Sequence, residues 1–209
     1  LAEELVIWSS DRFNFVKLPE NFTTGSSIMP QKRNPDAAEL IRAKPGRIFG
    51  NLLSLMTVLK GLPMTYGKDM QEDKEPIFDT ANNIELCILN MDGIIREIEP
   101  IPEKMLEALE KGFPTATDLA DYLVINLKIP FREAHHLTGK IVLLAEKKMT
   151  SLENLTINDI QSVIPDADLS VLEVLKIHNS VSSKTSYGGT APKNVLAAIK
   201  NAKNKFLKG

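Results

Sequence analysis

Cysteine is nearly absent: Cys87 is the only one in 209 residues. It stands inside an apolar run, so a disulfide framework is excluded and a reducing, cytoplasmic setting fits best. An excess of charge of either sign is also lacking. Lys and Arg number 25 against 27 Asp and Glu, a net charge of −2, which offers no broad basic field to nucleic acid or to an acidic membrane surface. No apolar run approaches the roughly 18 residues of a membrane span. Strand-like alternation, internal repeats and low-complexity segments are missing as well. Histidine is scarce. His135 and His136 are neighbours on a helical pattern and face different sides, so they do not converge on a metal; His178 lies near a helix end. No cysteine or carboxylate cluster has metal-ligand spacing. The chain opens "LAEELVIWSS", with neither an initiator methionine nor a basic leader, and is expected to begin inside a longer polypeptide.

What is present is the balance of a globular protein, 43% hydrophobic and 25% charged, sufficient for a sizeable core. The patterning is helical throughout. Leu1 to about Phe15 reads as the tail of a helix. Asn34 offers an N-cap, with Pro35 at the first helical position and Asp36 and Glu39 near the positive helix end. The helix that follows carries Leu52, Leu55, Met56 and Leu59 on one face, and Pro45-Gly46 is expected to interrupt and kink it. Ile77, Ala81, Ile84, Ile88, Met91, Ile95 and Ile98 alternate four and three apart, a heptad seam over a predicted helix from Lys74 to Glu99. At ~1.5 Å per residue it would run about 39 Å, long enough to suit a large bundle shared between subunits. Shorter helices follow. Thr115 with Asp118 resembles a capping box, and Thr156 with Asp159 starts a short helix that Pro165 closes. "KIVLLAE" could pass for a buried strand, but its flanks keep the helical period. The final lysine-rich helix reads as a solvated helix whose basic end suits the dipole, rather than as a nucleic-acid site.

Two polar joints break this pattern. The first, "GSSIMPQKRN" at residues 25 to 34, brings a permissive glycine and two hydroxyls beside Lys32 and Arg33, just ahead of a helix start with unpaired N–H groups. These features suit an anion site; they also suit a solvated surface loop whose serines cap a turn, and spacing alone does not separate the two. The stretch lacks the frame of a phosphate P-loop. The second joint is "GLPMTYGKDMQEDKEP". Its acids, Asp69, Glu72, Asp73 and Glu75, read best as a solvated helix face.

"GSSIMPQKRNPDAAE" resembles the signature of the fumarase/aspartase superfamily, Gly-Ser-Ser-x-Met-Pro-x-Lys-x-Asn followed by a Glu five residues on. "LPMTYGKDMQEDKE" is similar to the argininosuccinate lyase family, as are "TDLADYLV", "PFREAHHLTGK" and "YGGTA". The resemblance covers essentially this whole chain but only the second half of that family's polypeptide. It implies an all-α fold: residues 1 to about 100 forming part of a central helical bundle with the signature loop at 23–34, and 101–209 a smaller C-terminal helical domain. It also implies a β-elimination that splits argininosuccinate into fumarate and arginine, a step of arginine biosynthesis, with no cofactor and no metal. Ser26 would be the base, with Lys32 stabilising its alkoxide and the substrate carboxylate. Glu39 would orient a histidine from another subunit; its local features equally suit a first-turn glutamate that favours the helix dipole. Ser27, Asn34, Tyr66, Gln71 and Lys74 would bind substrate. Members of the family are homotetramers with active sites shared between subunits, so this chain is expected to be inactive alone. Two departures stand out. Arg33 replaces a lysine common in relatives and keeps its charge; Gly67 replaces a common asparagine, which would loosen the joint at Tyr66. The alternatives are a fumarate-releasing lyase of fumarase, aspartase or adenylosuccinate lyase type, and a non-catalytic structural relative such as a lens crystallin.

Overall fold

The computed structural model describes residues 1–25, 27–29, 31–110 and 112–207. It is an all-α protein, with ten α-helices and four strands of two residues each among the described residues. The chain divides into two compact units, Leu1–Met105 and Leu106–Gly209.

The first unit opens with α1, Ala2–Trp8, which stops well short of the expected Phe15. The chain turns at Ser9 and passes through Asn14 in the left-handed region, φ 47°. Strand β1, Val16–Lys17, pairs antiparallel with β4, Glu99–Pro100. A 3₁₀ turn, Glu20–Phe22, leads to β2, Thr24–Gly25, which pairs antiparallel with β3, Arg33–Asn34. These ribbons are too short to leave an alternation in the sequence. Because Asn34 is occupied in the ladder opposite Thr24, it does not cap the next helix: α2 runs Asp36–Leu59 with Pro35 at the cap position. The helix is continuous across Pro45, so the interruption expected there does not end it. Helix α3 is Lys74–Glu97, two residues shorter than expected.

Helices α2 and α3 form an antiparallel hairpin. Lys44 meets Asn83, Arg47 meets Asp79, and Asn51 meets Asp79 and Thr80, so residues advance on one helix as they retreat on the other. The interface is polar for most of its length. Its apolar part lies at one end, where Ala38 and Ile94 join Leu5, Val16 and Leu18 in a core that also takes Trp8, Phe22, Met91, Ile98 and Met105. The heptad seam is mainly outside this interface. Of its seven residues only Met91 and Ile98 reach the core, while Ile84 is 41% and Ile88 62% exposed. Phe49, Leu52, Leu53 and Met56 of α2 are likewise exposed. Helix α4, Pro102–Glu110, follows β4.

The second unit is built from α5 (Ala116–Ile125), α6 (Phe131–Lys147), α7 (Ile157–Gln161), α8 (Ser170–Val174), α9 (Ile177–Ser183) and α10 (Pro192–Phe206). "KIVLLAE" is therefore helical, within α6. The core is aliphatic: Leu119, Leu123, Ile141, Ile160 and Val171 are fully buried. Each such side chain contributes about 1.5–3 kcal/mol of transfer free energy. Thr156 and Asp159 start α7 as expected, and they form a capping box there. Thr115 and Asp118 do not form one on α5. Thr115 stands at the cap without a side-chain bond, because the Asp118 carboxylate instead accepts from Ser180 Oγ (2.6 Å) and from Lys184 Nζ. Gly188, at φ 78°, and Gly189 make the turn before α10; a Cβ on Gly189 would lie 2.3 Å from the Lys184 carbonyl oxygen. Among the described residues no helix is long and apolar enough to cross a membrane.

Candidate active site at two ends of a helical hairpin

The first polar joint is a β-hairpin. Rungs Thr24–Asn34 and Gly25–Arg33 form its base, and the described residues 27–29, 31 and 32 lie beyond it. Ser26 and Pro30 lie outside the described residues, so the position expected to supply the base carries no geometry. Of its neighbours, Ser27 and Lys32 are exposed and Asn34 is half-buried. The Lys32 N–H donates to the Met29 carbonyl at 3.0 Å, turning the chain back toward β3. A ladder of two rungs is marginal by itself, and three ties support it. The Thr24 hydroxyl donates to the Asp36 carboxylate on the first turn of α2. Arg33 Nη2 donates to Glu20 Oε1 at 3.1 Å. The Phe22 ring points its tip at Gly93 of α3, so close that a Cβ there would be 2.2 Å from Cζ. Glu39 stands one turn into α2, exposed, with Arg42 Nη2 at 3.9 Å; Arg42 is itself bonded to Glu3 at 2.9 Å. Among the described residues the Arg42 guanidinium is the Glu39 carboxylate's ion-pair partner, and the carboxylate lies on the face that bears Asp36.

The second joint contains Tyr66, Gln71 and Lys74. Gln71 Nε2 donates to the Tyr66 hydroxyl at 3.4 Å, at the long end of the range. Lys74 Nζ donates to the Met70 carbonyl at 3.1 Å and pairs with Asp73 at 2.7 Å. Asp73 is therefore not simply solvated, whereas Asp69, Glu72 and Glu75 are exposed. Gly67 leaves the room that Asp69 occupies, since a Cβ would meet its Oδ2 at 2.9 Å.

Ser27, Lys32, Asn34 and Glu39 adjoin the start of α2, and Tyr66, Gln71 and Lys74 share the second joint, where Gln71 bonds Tyr66. The structure does not bring the two groups together. The first group adjoins the start of α2 and the second follows its end, and α2 has 24 residues. Because Asp79 meets Arg47 and Asn51, Lys74 stands level with about Leu55 of α2; at ~1.5 Å per residue the groups lie at least about 20 Å apart along the hairpin. No rearrangement of side chains spans that distance.

The sequence alone did not reveal the polar ladder inside the hairpin. Arg47 binds Asp79 with both Nε (2.7 Å) and Nη2; Asn51 Nδ2 adds a bond to Asp79 at 2.7 Å; Lys44 Nζ donates to the buried Asn83 at 2.7 Å. The guanidinium bond, followed by that from Asn51, holds the Asp79 carboxyl below its ordinary range. A separation of 32 residues carries no local signal for such a pair; only the hairpin register exposes it. Among the described residues, no three His, Cys, Asp or Glu side chains are grouped to hold a metal.

A family model described as "Lyase" matches residues 1–50, and one described as "Argininosuccinate lyase C-terminal" matches 113–182. The chain is similar to the argininosuccinate lyase of Ehrlichia chaffeensis, 55% identical over 203 residues that cover 97% of this chain and 43% of the relative. The argininosuccinate lyase of a Jannaschia species is 59% identical over 198 residues, 95% of this chain and 42% of the relative. The chain thus spans less than half the length of the curated relatives it matches. Among solved structures, an EDDS lyase in complex with formate superposes with a TM-score of 0.83 at 26% identity, covering 99% of this chain and 43% of that one; an EDDS lyase variant with bound fumarate matches equally.

Proposed function

The chain belongs to the argininosuccinate lyase family of the fumarase/aspartase superfamily, and from that premise we propose that the protein cleaves argininosuccinate to fumarate and arginine. The observation that carries the reading is the identity to argininosuccinate lyases across nearly the whole chain, both polar joints included. The fumarate held by a protein of the same fold supports the product class.

In this reading the Ser26 oxygen takes a proton from the substrate carbon beside a carboxylate. The released electron pair moves onto that carboxylate and then into the new C=C bond as the C–N bond breaks. The leaving guanidino nitrogen keeps the bonding pair and is protonated to give arginine. A serine hydroxyl is a weak base, so the step depends on positive charge that favours the alkoxide and the carboxylate-centred anion. Lys32 supplies that charge, one turn of chain from the serines. Asn34, fixed in β3, and Ser27 donate hydrogen bonds to carboxylate oxygens. Glu39 holds a histidine supplied by another subunit. Tyr66, Gln71 and Lys74 bind the rest of the substrate. With the two groups at least about 20 Å apart along the hairpin, each site combines the signature hairpin of one copy with the second joint of another. The exposed apolar faces of α2 and α3 give the copies a surface on which to associate as a homotetramer. Arginine biosynthesis in the cytoplasm is the setting.

In the full-length polypeptide, Ser26→Ala is expected to lower kcat by a factor of about 10³ or more while substrate still binds, within the span attributed to a general base. The 209 residues alone are expected to release no fumarate. A near-normal rate in the variant would remove Ser26 from the base role. Fumarate from malate, aspartate or adenylosuccinate in place of argininosuccinate would replace the substrate.

A further inference from the structure

Near the second joint, α2 and α3 border an open groove of about 520 Å³. Arg47, Asn51 and Asp79 line it from the ladder, and Glu72, Glu75 and Pro76 line it from the joint and the first turn of α3. One guanidinium therefore faces three carboxylates, and it is committed to one of them. Arg47 gives Nε and Nη2 to the two oxygens of Asp79. Asn51 approaches from α2 one turn further on and bonds both Asp79 Oδ2 (2.7 Å) and Thr80 Oγ1 (3.1 Å).

We propose that Arg47, Asp79 and Asn51 are the positioning residues of the substrate segment Tyr66–Lys74. This rests on the function proposed above, which makes that segment a binding element. The clamp touches no substrate; it acts through α3. Asp79 is five residues beyond Lys74, and a helix is stiff over so short a span. Tying Asp79 to α2 therefore fixes the height and rotation at which Lys74 leaves the joint. Lys74 in turn holds the Met70 carbonyl, which carries the constraint back to Gln71 and its bond to Tyr66. The same geometry defines the failure. If Asp79 loses its charge, the guanidinium is free for Glu72 and Glu75, the other carboxylates on the groove wall. Drawing them inward pulls the joint off its substrate-binding position. A bidentate guanidinium–carboxylate pair is stronger and more directional than an ordinary surface ion pair, so the clamp can hold such a set point.

The test uses the full-length polypeptide with Asp79→Asn and, separately, Arg47→Lys, which keeps the charge but loses the two-pronged fit. Both are expected to raise KM for argininosuccinate about tenfold with kcat within about twofold, because a segment that binds ground and transition states alike affects KM alone. Amide hydrogen exchange across 66–74 should quicken about tenfold while 20–36 is unchanged. Adding Glu72→Gln and Glu75→Gln to Asp79→Asn should recover most of the KM. Unchanged KM and exchange would overturn the proposal. So would an equal loss of kcat, or exchange quickened along all of α2 and α3, since either marks a purely structural clamp. If Asp79→Asn does not fold, Arg47→Lys decides alone. If the wild type releases no fumarate from argininosuccinate, the proposed reaction falls, and the exchange pattern still decides whether the clamp positions the joint.

Discussion

Gly93 is where the signature hairpin rests on the helix behind it. A glycine inside α3 forgoes about 1 kcal/mol of helix propensity relative to alanine. Its replacement by alanine would ordinarily stabilise the protein. Here the added Cβ would lie 2.2 Å from Cζ of Phe22, and Phe22 leads directly into β2 through Thr23. The ring must move, and the hairpin base moves with it. Gly93→Ala is therefore expected to destabilise the protein by about 1–3 kcal/mol, in the range of overpacked sites, as read by chemical denaturation. A gain in stability would show that Phe22 does not depend on the missing methyl. Residue by residue, the sequence disclosed what its own neighbourhood decides. Thr156 and Asp159 lie within one turn of each other and start the helix they suggest, as a capping box. Thr115 and Asp118 have the same spacing, but Ser180 and Lys184, more than 60 residues on, claim the carboxylate. Asn34 suits a helix cap and is instead used by the ladder.

The short elements of the second unit depend on individual charged bonds. Asp159 binds Lys148 through its side chain and accepts from the Thr156 backbone N–H and hydroxyl. The Lys148 bond, ahead of those from Thr156, lowers its carboxyl to about 2 from an ordinary 3.8. A carboxyl depressed on folding stabilises the native state fully above its unfolded value, and that stabilisation is lost as pH falls through the folded value. The start of α7 is therefore expected to weaken between about pH 4 and pH 2, and Asp159→Asn should remove that part of the acid sensitivity. Thermal melts at pH 6 and pH 3 check this: a variant whose melting temperature falls between the two pH values as much as the wild type's would contradict it. At the scale of elements, helices were legible because apolar spacing persists over many turns; α3 is the clearest case. The four strands were not, because two residues leave no period. The partner of the heptad seam was not legible either. The same isoleucines that predict a helix say nothing of what covers them, and within this chain α3 turns Asp79, Asn83 and Asn90 toward α2 or its flank while Ile84 and Ile88 remain exposed.

The whole molecule follows from one length. An antiparallel pair of 24-residue helices carries a catalytic-type hairpin at one end and a binding-type joint at the other. Sequence motifs identify both and give no distance between them, since residues 26–39 and 66–74 are close in sequence but separated by the rigid length of α2. The ladder of Lys44, Arg47, Asn51, Asp79 and Asn83 keeps the two ends at fixed spacing and register. In the proposed reading such a site is completed by a second copy, and the exposed apolar faces of α2 and α3 are the surface on which copies would meet; family resemblance suggests that sharing, and the hairpin gives the proposal a geometric reason.

The most direct test of this account mixes two full-length variants, the inactive Ser26→Ala at the hairpin end and the weakly binding Lys74→Ala at the joint end, unfolded and reassembled together and assayed with substrate far below the KM of Lys74→Ala. If each site takes its hairpin from one copy and its joint from another, about a quarter of the sites in a symmetric assembly of equal parts receive both intact ends. Fumarate release from argininosuccinate should then recover to about that fraction of the wild-type rate. Recovery no greater than the sum of the two variants measured separately would place both ends of a site in the same copy and contradict the account.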